Sequence, residues 1–335
     1  MVLNPGRDFL FLKDRTRQMD DFKVTILGSG SAVPTARHNP SCQLVYHKGR
    51  QFMLDCGEGA QLQMIKYKLK YRKLDHIFIS HMHGDHYYGL IGLLNTYHLM
   101  RRESPLHIYG PARLEEVINL QLEVSATKLV YPVHFHPLKE NESEILYEDP
   151  SITVTNFPLN HSLPVWGFLI REKPKLRRIS KEIVNEYNLE VEEIKRIKMG
   201  GDLLLPDGNL MKHEEITSDP LPSRSYAYCT DTSYLESTAQ YVQGVDLLYH
   251  ESTFDDAQED LAEITRHSTA SQAARVALEA RAGTLLLGHY SARFTDLDQL
   301  LKEAKDIFPD TLLSEEGKTY TLEYDRNIIP GEASE

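Results

Sequence analysis

Ser80-His81-Met82-His83-Gly84-Asp85-His86 packs four side chains able to hold a metal ion into six residues. A β-rich run over 76–80 leads into it, and Leu90, Leu93, Leu94 and Tyr97 follow at helical spacing. The stretch therefore reads as the end of a strand, a turn and the start of a helix. His81 and His83, two apart in an extended or turning segment, can point to one side and grip a single ion. Asp85 and His86 fall at the helix start, turned toward a neighbouring position. Imidazole nitrogens and carboxylate oxygens without thiolates suit zinc, ahead of manganese or iron. A polar loop with incidental histidines is the plainer alternative, and four ligand types in so short a stretch weigh against it.

Such a site must be completed from elsewhere in the chain. His161 follows the run 156–160, Asp231 follows the strand-like 226–229, and His289 follows Leu285-Leu286-Leu287-Gly288. Alone, a histidine or aspartate at a strand end is more often structural. Together with the cluster, the three give five histidines and two aspartates, enough for two ions if Asp231 bridges them.

The rest of the chain supplies a frame for this. At 335 residues it is one large α/β domain or two ordinary ones. No apolar run approaches the roughly 18–20 residues of a membrane span, so no membrane association is expected. Cys42, Cys56 and Cys229 are too few and too scattered for a disulfide scaffold or a cysteine-only zinc site, which points to a reducing cytoplasm. Residues 1–20 read as an extension, with the main domain at 21–325 and a tail at 326–335. Strands are expected at 23–27, 43–46, 51–54, 106–109, 130–135, 152–157, 165–170, 226–229, 247–249 and 284–287. Helices are expected at 58–70 (apolar face Leu62, Ile65, Leu69), 111–122, 268–280 and 297–307. Strands pair locally and then alternate with helices, and this recurs in the second half, which gives an α/β architecture with helices covering sheet faces.

Seven blocks, in order along the chain, resemble the motifs of the ribonuclease Z family in its short form, within the metallo-β-lactamase superfamily. They are the histidine cluster, Asp55-Cys56-Gly57-Glu58-Gly59, Leu159-Asn160-His161-Ser162, Cys229-Thr230-Asp231-Thr232, His250-Glu251-Ser252-Thr253-Phe254, His267-Ser268-Thr269 and Gly288-His289-Tyr290-Ser291-Ala292-Arg293-Phe294. The resemblance runs from about Val24 to Tyr324. It implies an αββα sandwich with the metals at the strand ends, and two zinc ions per subunit. One would be held by His81, His83 and His161, the other by Asp85, His86 and His289, with Asp231 between them. It implies removal of the 3′ trailer from precursor tRNA by phosphodiester hydrolysis. It also implies a homodimer and an inserted RNA-binding arm, here about 171–208.

Hydrolysis of a phosphodiester needs a nucleophile at neutral pH and relief of the charge that builds on phosphorus, and a two-metal centre supplies both. Asp85 is placed to take or orient the water proton. The leaving 3′ oxygen needs a proton that metal-bound histidines give poorly. His267 lies outside the ligand set and in the family's His-Ser-Thr motif, with Glu251 in the matching His-Glu-x-Thr motif; a carboxylate next to an imidazole raises its pKa and fixes its ring, so the resemblance implies His267 as the acid and Glu251 as its partner. The alternative for His267 is a cap on the following helix. Asp55 is a candidate to orient a ligand histidine, with a turn residue as the alternative. Ser291 and Arg293 are candidates for phosphate contact, with a structural salt bridge as the alternative for Arg293.

A net charge of −12 repels a polyanion at long range, so RNA contact must rest on local patches or on bound cations. Lys66-Tyr67-Lys68-Leu69-Lys70-Tyr71-Arg72-Lys73 offers five cations and two tyrosines that can neutralise phosphates and stack bases. Arg171, Lys173, Lys175, Arg177, Arg178, Lys181, Lys195, Arg196 and Lys198 mark the inserted arm, around a helix-like 179–187. In the loop after the first strand, family members often read Pro-x-Lys-x-Arg-Asn where this chain has Pro34-Thr35-Ala36-Arg37-His38-Asn39. Two other readings remain: a hydrolase of the same fold for small diesters such as cyclic nucleotides, and a metal-free RNA-binding subunit. The arm favours tRNA over a small diester, and a complete ligand set argues against the subunit.

Overall fold

A computed structural model describes residues 21–331. Its strands, in chain order, are β1 (Phe22–Gly28), β2 (Cys42–His47), β3 (Arg50–Leu54), β4 (Leu74–Phe78), β5 (Leu106–Gly110), β6 (Val133–Pro137), β7 (Ile145–Glu148), β8 (Ile152–Pro158) and β9 (Trp166–Glu172). The short β10 (Arg178–Ile179), β11 (Leu203–Leu204), β12 (Leu210–Met211) and β13 (Thr217–Ser218) follow. Then come β14 (Ser225–Cys229), β15 (Leu247–Glu251), β16 (Thr284–Gly288), β17 (Thr311–Leu313), β18 (Thr319–Leu322) and β19 (Ile328–Pro330). One sheet has the order β19-β18-β1-β2-β3-β4-β5-β6, and the other β17-β16-β15-β14-β9-β8-β7.

The two sheets face each other across Phe22, Phe52, Phe78, Trp166, Phe168, Tyr226 and Tyr249. The first sheet's outer side is covered by α1 (Ala60–Lys66), α2 (Gly84–Leu99) and α3 (Arg113–Val124), through Met64, Leu90, Leu94 and Ile118. The second is covered by helices at Glu236–Tyr241, Ala270–Glu279 and Asp298–Ile307, through Ala239, Val276 and Leu300. This is the expected αββα sandwich. β3 to β6 run parallel, as do β14 to β17. Every residue of β14 and β15 is buried, as strands covered on both faces require. Among the described residues no helix is long and apolar enough to cross a membrane.

Several expectations need correction. Helix α1 buries Ala60, Gln63 and Met64, while Leu62 and Ile65 are 70% and 52% exposed. The helix is turned because the Gln63 amide is held inside, donating to the Leu27 carbonyl and to Glu316. The same turn puts Tyr67 in the core at 7% exposure, so it has no face left for a base. The expected main domain ends later than 325, because β19 lies within the tail. Asp325, Arg326 and Asn327 form a turn, with Arg326 at φ 68°, that brings Ile328 back opposite Leu322 in β19. Residues 1–20 lie outside the described residues.

The insert has different limits from those expected. Arg171 and Glu172 still belong to β9, and the segment closes only when β13 pairs with β10, Ser218 opposite Arg178. Between them two helices, Lys181–Glu186 and Val191–Lys198, pack on their own small core of Leu189, Ile197, Leu203 and Ile216. Its cations are largely engaged. Lys173 pairs with Glu148, Lys175 with Glu172 and Arg177 with Asp219, while Arg178 donates to the Asp219 carbonyl. From 173 to 219 the sequence holds nine lysines and arginines against ten aspartates and glutamates, so the segment carries no excess positive charge.

Two glycines of α2 make a paired test of this packing. A Cβ on Gly89 would stand 2.1 Å from the Gly57 carbonyl oxygen, whereas one on Gly92 meets nothing nearer than 4.0 Å. Gly89→Ala should destabilise by about 1–3 kcal/mol or more, and Gly92→Ala should stabilise by roughly 0.5–1 kcal/mol through helix propensity. Urea unfolding of the two variants checks both signs.

Candidate metal centre

Parallel strands that end side by side deliver their following residues to one place, and every expected ligand leaves a strand at that edge. His81 and His83 come just after β4, and Asp85 and His86 occupy the first turn of α2. His161 comes after β8, Asp231 after β14 and His289 after β16. The structure brings all seven together. His81, His83, His161 and Asp231 form one group, and Asp85, His86 and His289 another, with the ligand atoms of each within 4.8 Å of one another. Asp231 lies between them. Its Oδ2 is 3.6 Å from His81 Nε2 and 3.8 Å from His161 Nε2, and its Oδ1 is 3.2 Å from His86 Nε2 and 3.0 Å from His289 Nε2.

Donor accounting tests whether these residues fit metal ions. Ser80 Oγ donates to Asp55 Oδ2 at 2.9 Å, so at 3.0 Å it accepts from His81 Nδ1. His86 Nδ1 donates to Asp55 Oδ2 at 2.7 Å, and His161 Nδ1 to the Arg266 carbonyl at 2.8 Å. Thr253 Oγ1 donates to Glu251 Oε2 at 2.7 Å and accepts from His289 Nδ1 at 2.9 Å. Each of the four rings thus spends its N–H outward and turns an Nε2 lone pair inward. His83 Nδ1 completes the first group, 3.0 Å from His81 Nε2 and 3.2 Å from His161 Nε2. His86 Nε2 and His289 Nε2 are buried with no hydrogen-bond partner. Lone pairs that converge at this spacing on a buried carboxylate form a donor set for cations.

The supporting residues came partly from the sequence. Asp55 is fully buried, with φ 54°, and accepts from the Ser80 amide at 2.7 Å and from the Tyr228 hydroxyl at 2.8 Å. It therefore orients His86, the first of its two expected roles. The sequence gives no role to Ser80, next to His81, or to Thr253, two residues after Glu251. The Tyr228 hydroxyl and the Ala32 amide, which donates to Asp85 Oδ2 at 2.9 Å, had no signal in the sequence.

His267 stands beside the centre, its ring 4.9 Å from that of His161 and 5.4 Å from that of His289. Its Nδ1 donates to Glu251 Oε1 at 2.7 Å. Burial opposes its charged form, but the Glu251 carboxylate prevails and raises its pKa above that of an ordinary imidazole. It does not cap the next helix; Thr269 does, in a capping box with Gln272. Arg293 is exposed, with its guanidinium 5.9 Å from the centre of the Phe254 ring, and Ser291 is buried.

Comparison with known proteins shows what the chain as a whole is similar to. A family model described as anti-Pycsar protein Apyc1 matches residues 22–173, less than half of the chain but including His81, His83, Asp85, His86 and His161. Ribonuclease Z of Bacteroides fragilis is 44% identical over 304 residues, covering 91% of this chain and all of that protein. Ribonuclease Z of Cytophaga hutchinsonii is 46% identical over 301 residues, covering 90% and 96%. The crystal structure of the short form of human tRNase Z superposes with a TM-score of 0.64 at 28% identity, over 89% of this chain and 98% of that one. With relatives this similar along nearly its whole length, the chain belongs to the ribonuclease Z family.

Proposed function

We propose that this chain is a zinc-dependent endoribonuclease that cuts precursor tRNA at its 3′ trailer and leaves a 3′ hydroxyl on the tRNA. The observation that carries the reading is the juxtaposition of two ligand groups sharing Asp231 with an acid–carboxylate pair, His267 and Glu251, at their side. His81, His83 and His161 would hold one zinc ion, and Asp85, His86 and His289 the other, with Asp231 touching both. Bound there, such ions lower the pKa of a coordinated water and neutralise charge on the phosphate.

The chain's own residues do the rest. Asp85, fixed by the Ala32 amide at 2.9 Å, orients the attacking water and takes its proton. His267, kept protonated by Glu251, faces the leaving oxygen and gives up its proton there. Glu251 is itself pinned by the Thr232 amide at 2.8 Å and by Thr253, so the acid's orientation is set by a buried scaffold. Three buried free thiols are consistent with a cytoplasmic enzyme, and the exposed Leu62 and Ile65 with a homodimer contact. The inserted segment serves as the clamp on the body of the tRNA. A second reading, hydrolysis of small diesters such as cyclic nucleotides, draws support from the paired state of that segment's cations. Incubating the protein with a trailer-bearing precursor tRNA and with a cyclic nucleotide separates the two; cleavage of the cyclic nucleotide alone would select the second.

His267→Ala should retain its zinc and lose about 10²–10⁴-fold in single-turnover rate on precursor tRNA. On bis-p-nitrophenyl phosphate, whose leaving group departs without a proton, the loss should be far smaller. Glu251→Gln removes the charge that holds the His267 pKa up while burial still pulls it down. The acid form is lost as pH rises through that pKa, so the alkaline limb of the rate profile should move to lower pH. Asp55→Asn replaces the carboxylate that orients His86 and should weaken zinc binding about 10–100-fold in chelator competition.

A further inference from the structure

The inserted segment leaves the sandwich at the end of β9 and returns at the start of β14, and one buried carboxylate ties the two ends together. Glu172, the last residue of β9, is 2% exposed, and Arg224, just before β14, is 3% exposed. Glu172 Oε2 accepts from the Arg224 amide at 2.9 Å and from its Nε at 3.1 Å, while Oε1 accepts from its Nη2 at 2.9 Å. The Glu172 amide donates back to the Arg224 carbonyl at 2.9 Å. Lys175, on the outgoing side, donates to Glu172 Oε2 and, at 2.9 Å, to the Pro222 carbonyl on the returning side. The knot also reaches the other sheet. His47 Nε2, at the end of β2, donates to Glu172 Oε1 at 3.0 Å, and Arg224 Nη1 donates to the Leu322 carbonyl of β18 at 3.0 Å.

Stability alone does not account for this knot. Taking a buried ion pair out of water costs about as much as its attraction returns, so apolar side chains of the same size would hold the sandwich as well. His47 Nδ1 is buried with no hydrogen-bond partner, a cost that a phenyl ring in the same place would avoid. What a guanidinium fork on a carboxylate supplies, and an apolar contact does not, is direction. Direction matters here because the segment has its own core, which shares no residue with the cores of the sandwich. Its root is tied as well by the Lys173 amide, which donates to the Ser151 carbonyl at 2.9 Å, and by the pair of Lys173 with Glu148, which at a solvent-facing site adds little. A small rotation at the root is carried outward to the whole segment. We infer that Glu172, locked by Arg224 and His47, is a positioning residue for precursor tRNA: it sets the angle at which the segment meets the tRNA body, and through that which phosphate is presented to the metal centre. The inference rests on the segment serving as the clamp proposed above.

The test compares three substrates with the full chain: a trailer-bearing precursor tRNA, a hairpin of acceptor stem and trailer alone, and bis-p-nitrophenyl phosphate. Glu172→Gln removes the charge that holds Arg224. Arg224→Lys keeps the buried charge but loses the fork, and it carries the test should the first variant not fold. Each should lower kcat/KM on the full precursor about 10–100-fold, the order expected when a substrate is misplaced by about an ångström. Each should also spread the cut over neighbouring phosphates of that precursor. On the hairpin and on the model diester, kcat and KM should match those of the wild type. Equal losses on all three substrates would show that the knot only holds the fold together. An unaltered rate and cut position on the full precursor would show that the segment does not depend on it. Either result overturns the inference and leaves the endonuclease reading standing. A wild-type protein that cuts neither RNA would remove that reading itself, and the inference with it.

Discussion

Lone pairs on the Nε2 atoms of His81, His86, His161 and His289 all face one buried carboxylate, Asp231, and the rest of the centre is arranged around that convergence. Left to themselves, such rings would rotate to pair each nitrogen with a donor or with each other. They are prevented from doing so on the far side, where each N–H is already committed to Ser80, Asp55, the Arg266 carbonyl or Thr253. In a low-dielectric interior a set of acceptors without donors is costly. Holding it open requires scaffolding stiffer than the repulsion it resists, which is why the ligands sit close behind the ends of sheet strands rather than on long loops.

That stiffness comes from both sheets at once. Asp55 leaves β3 in the first sheet, yet it accepts from Tyr228 of β14 in the second while it orients His86 at the head of α2. Thr253, just after β15, likewise joins His289 after β16 to Glu251 and so to His267. The ligand shell and the acid–carboxylate pair therefore share supports, and a shift of one strand end is felt by both. Separating the two sheets would lengthen the Tyr228–Asp55 hydrogen bond and at the same time draw Asp231 away from His81 and His86.

What the sequence disclosed follows the same division between local and distant. The stretch from Ser80 to His86 was legible because its ligands are contiguous and its turn and helix start have local causes. His161, Asp231 and His289 were legible because each ends a short apolar run, which marks a strand end wherever the sheet places it. The face of α1 was misread because Leu62 and Ile65 have the spacing of a buried stripe, while the decisive contacts, from Gln63 to Leu27 and Glu316, are polar and long-range. The pairing of β19 with β18 and the closure of the insert by β13 were missed for a related reason. Strands of two or three residues have too few positions to show a period, and their partners are chosen by a turn or by a distant edge.

The insert poses the remaining physical problem, since a chain of net charge −12 is proposed to hold a polyanion. Its own charges nearly cancel, and Lys173, Lys175 and Arg177 are already occupied by Glu148, Glu172 and Asp219. Long-range attraction from this segment is therefore weak. A phosphate could recruit those cations only by displacing carboxylates that stay nearby, which returns little free energy at an exposed site. What the segment does possess is shape: two helices on a private core of Leu189, Ile197, Leu203 and Ile216, held at its root by buried Glu172 between Arg224 and His47. An RNA held there is held through fit against a fixed surface. The electrostatic share of binding then falls to the metal centre and to the exposed cations Lys66, Lys70, Arg72 and Lys73 at the end of α1 and beyond it.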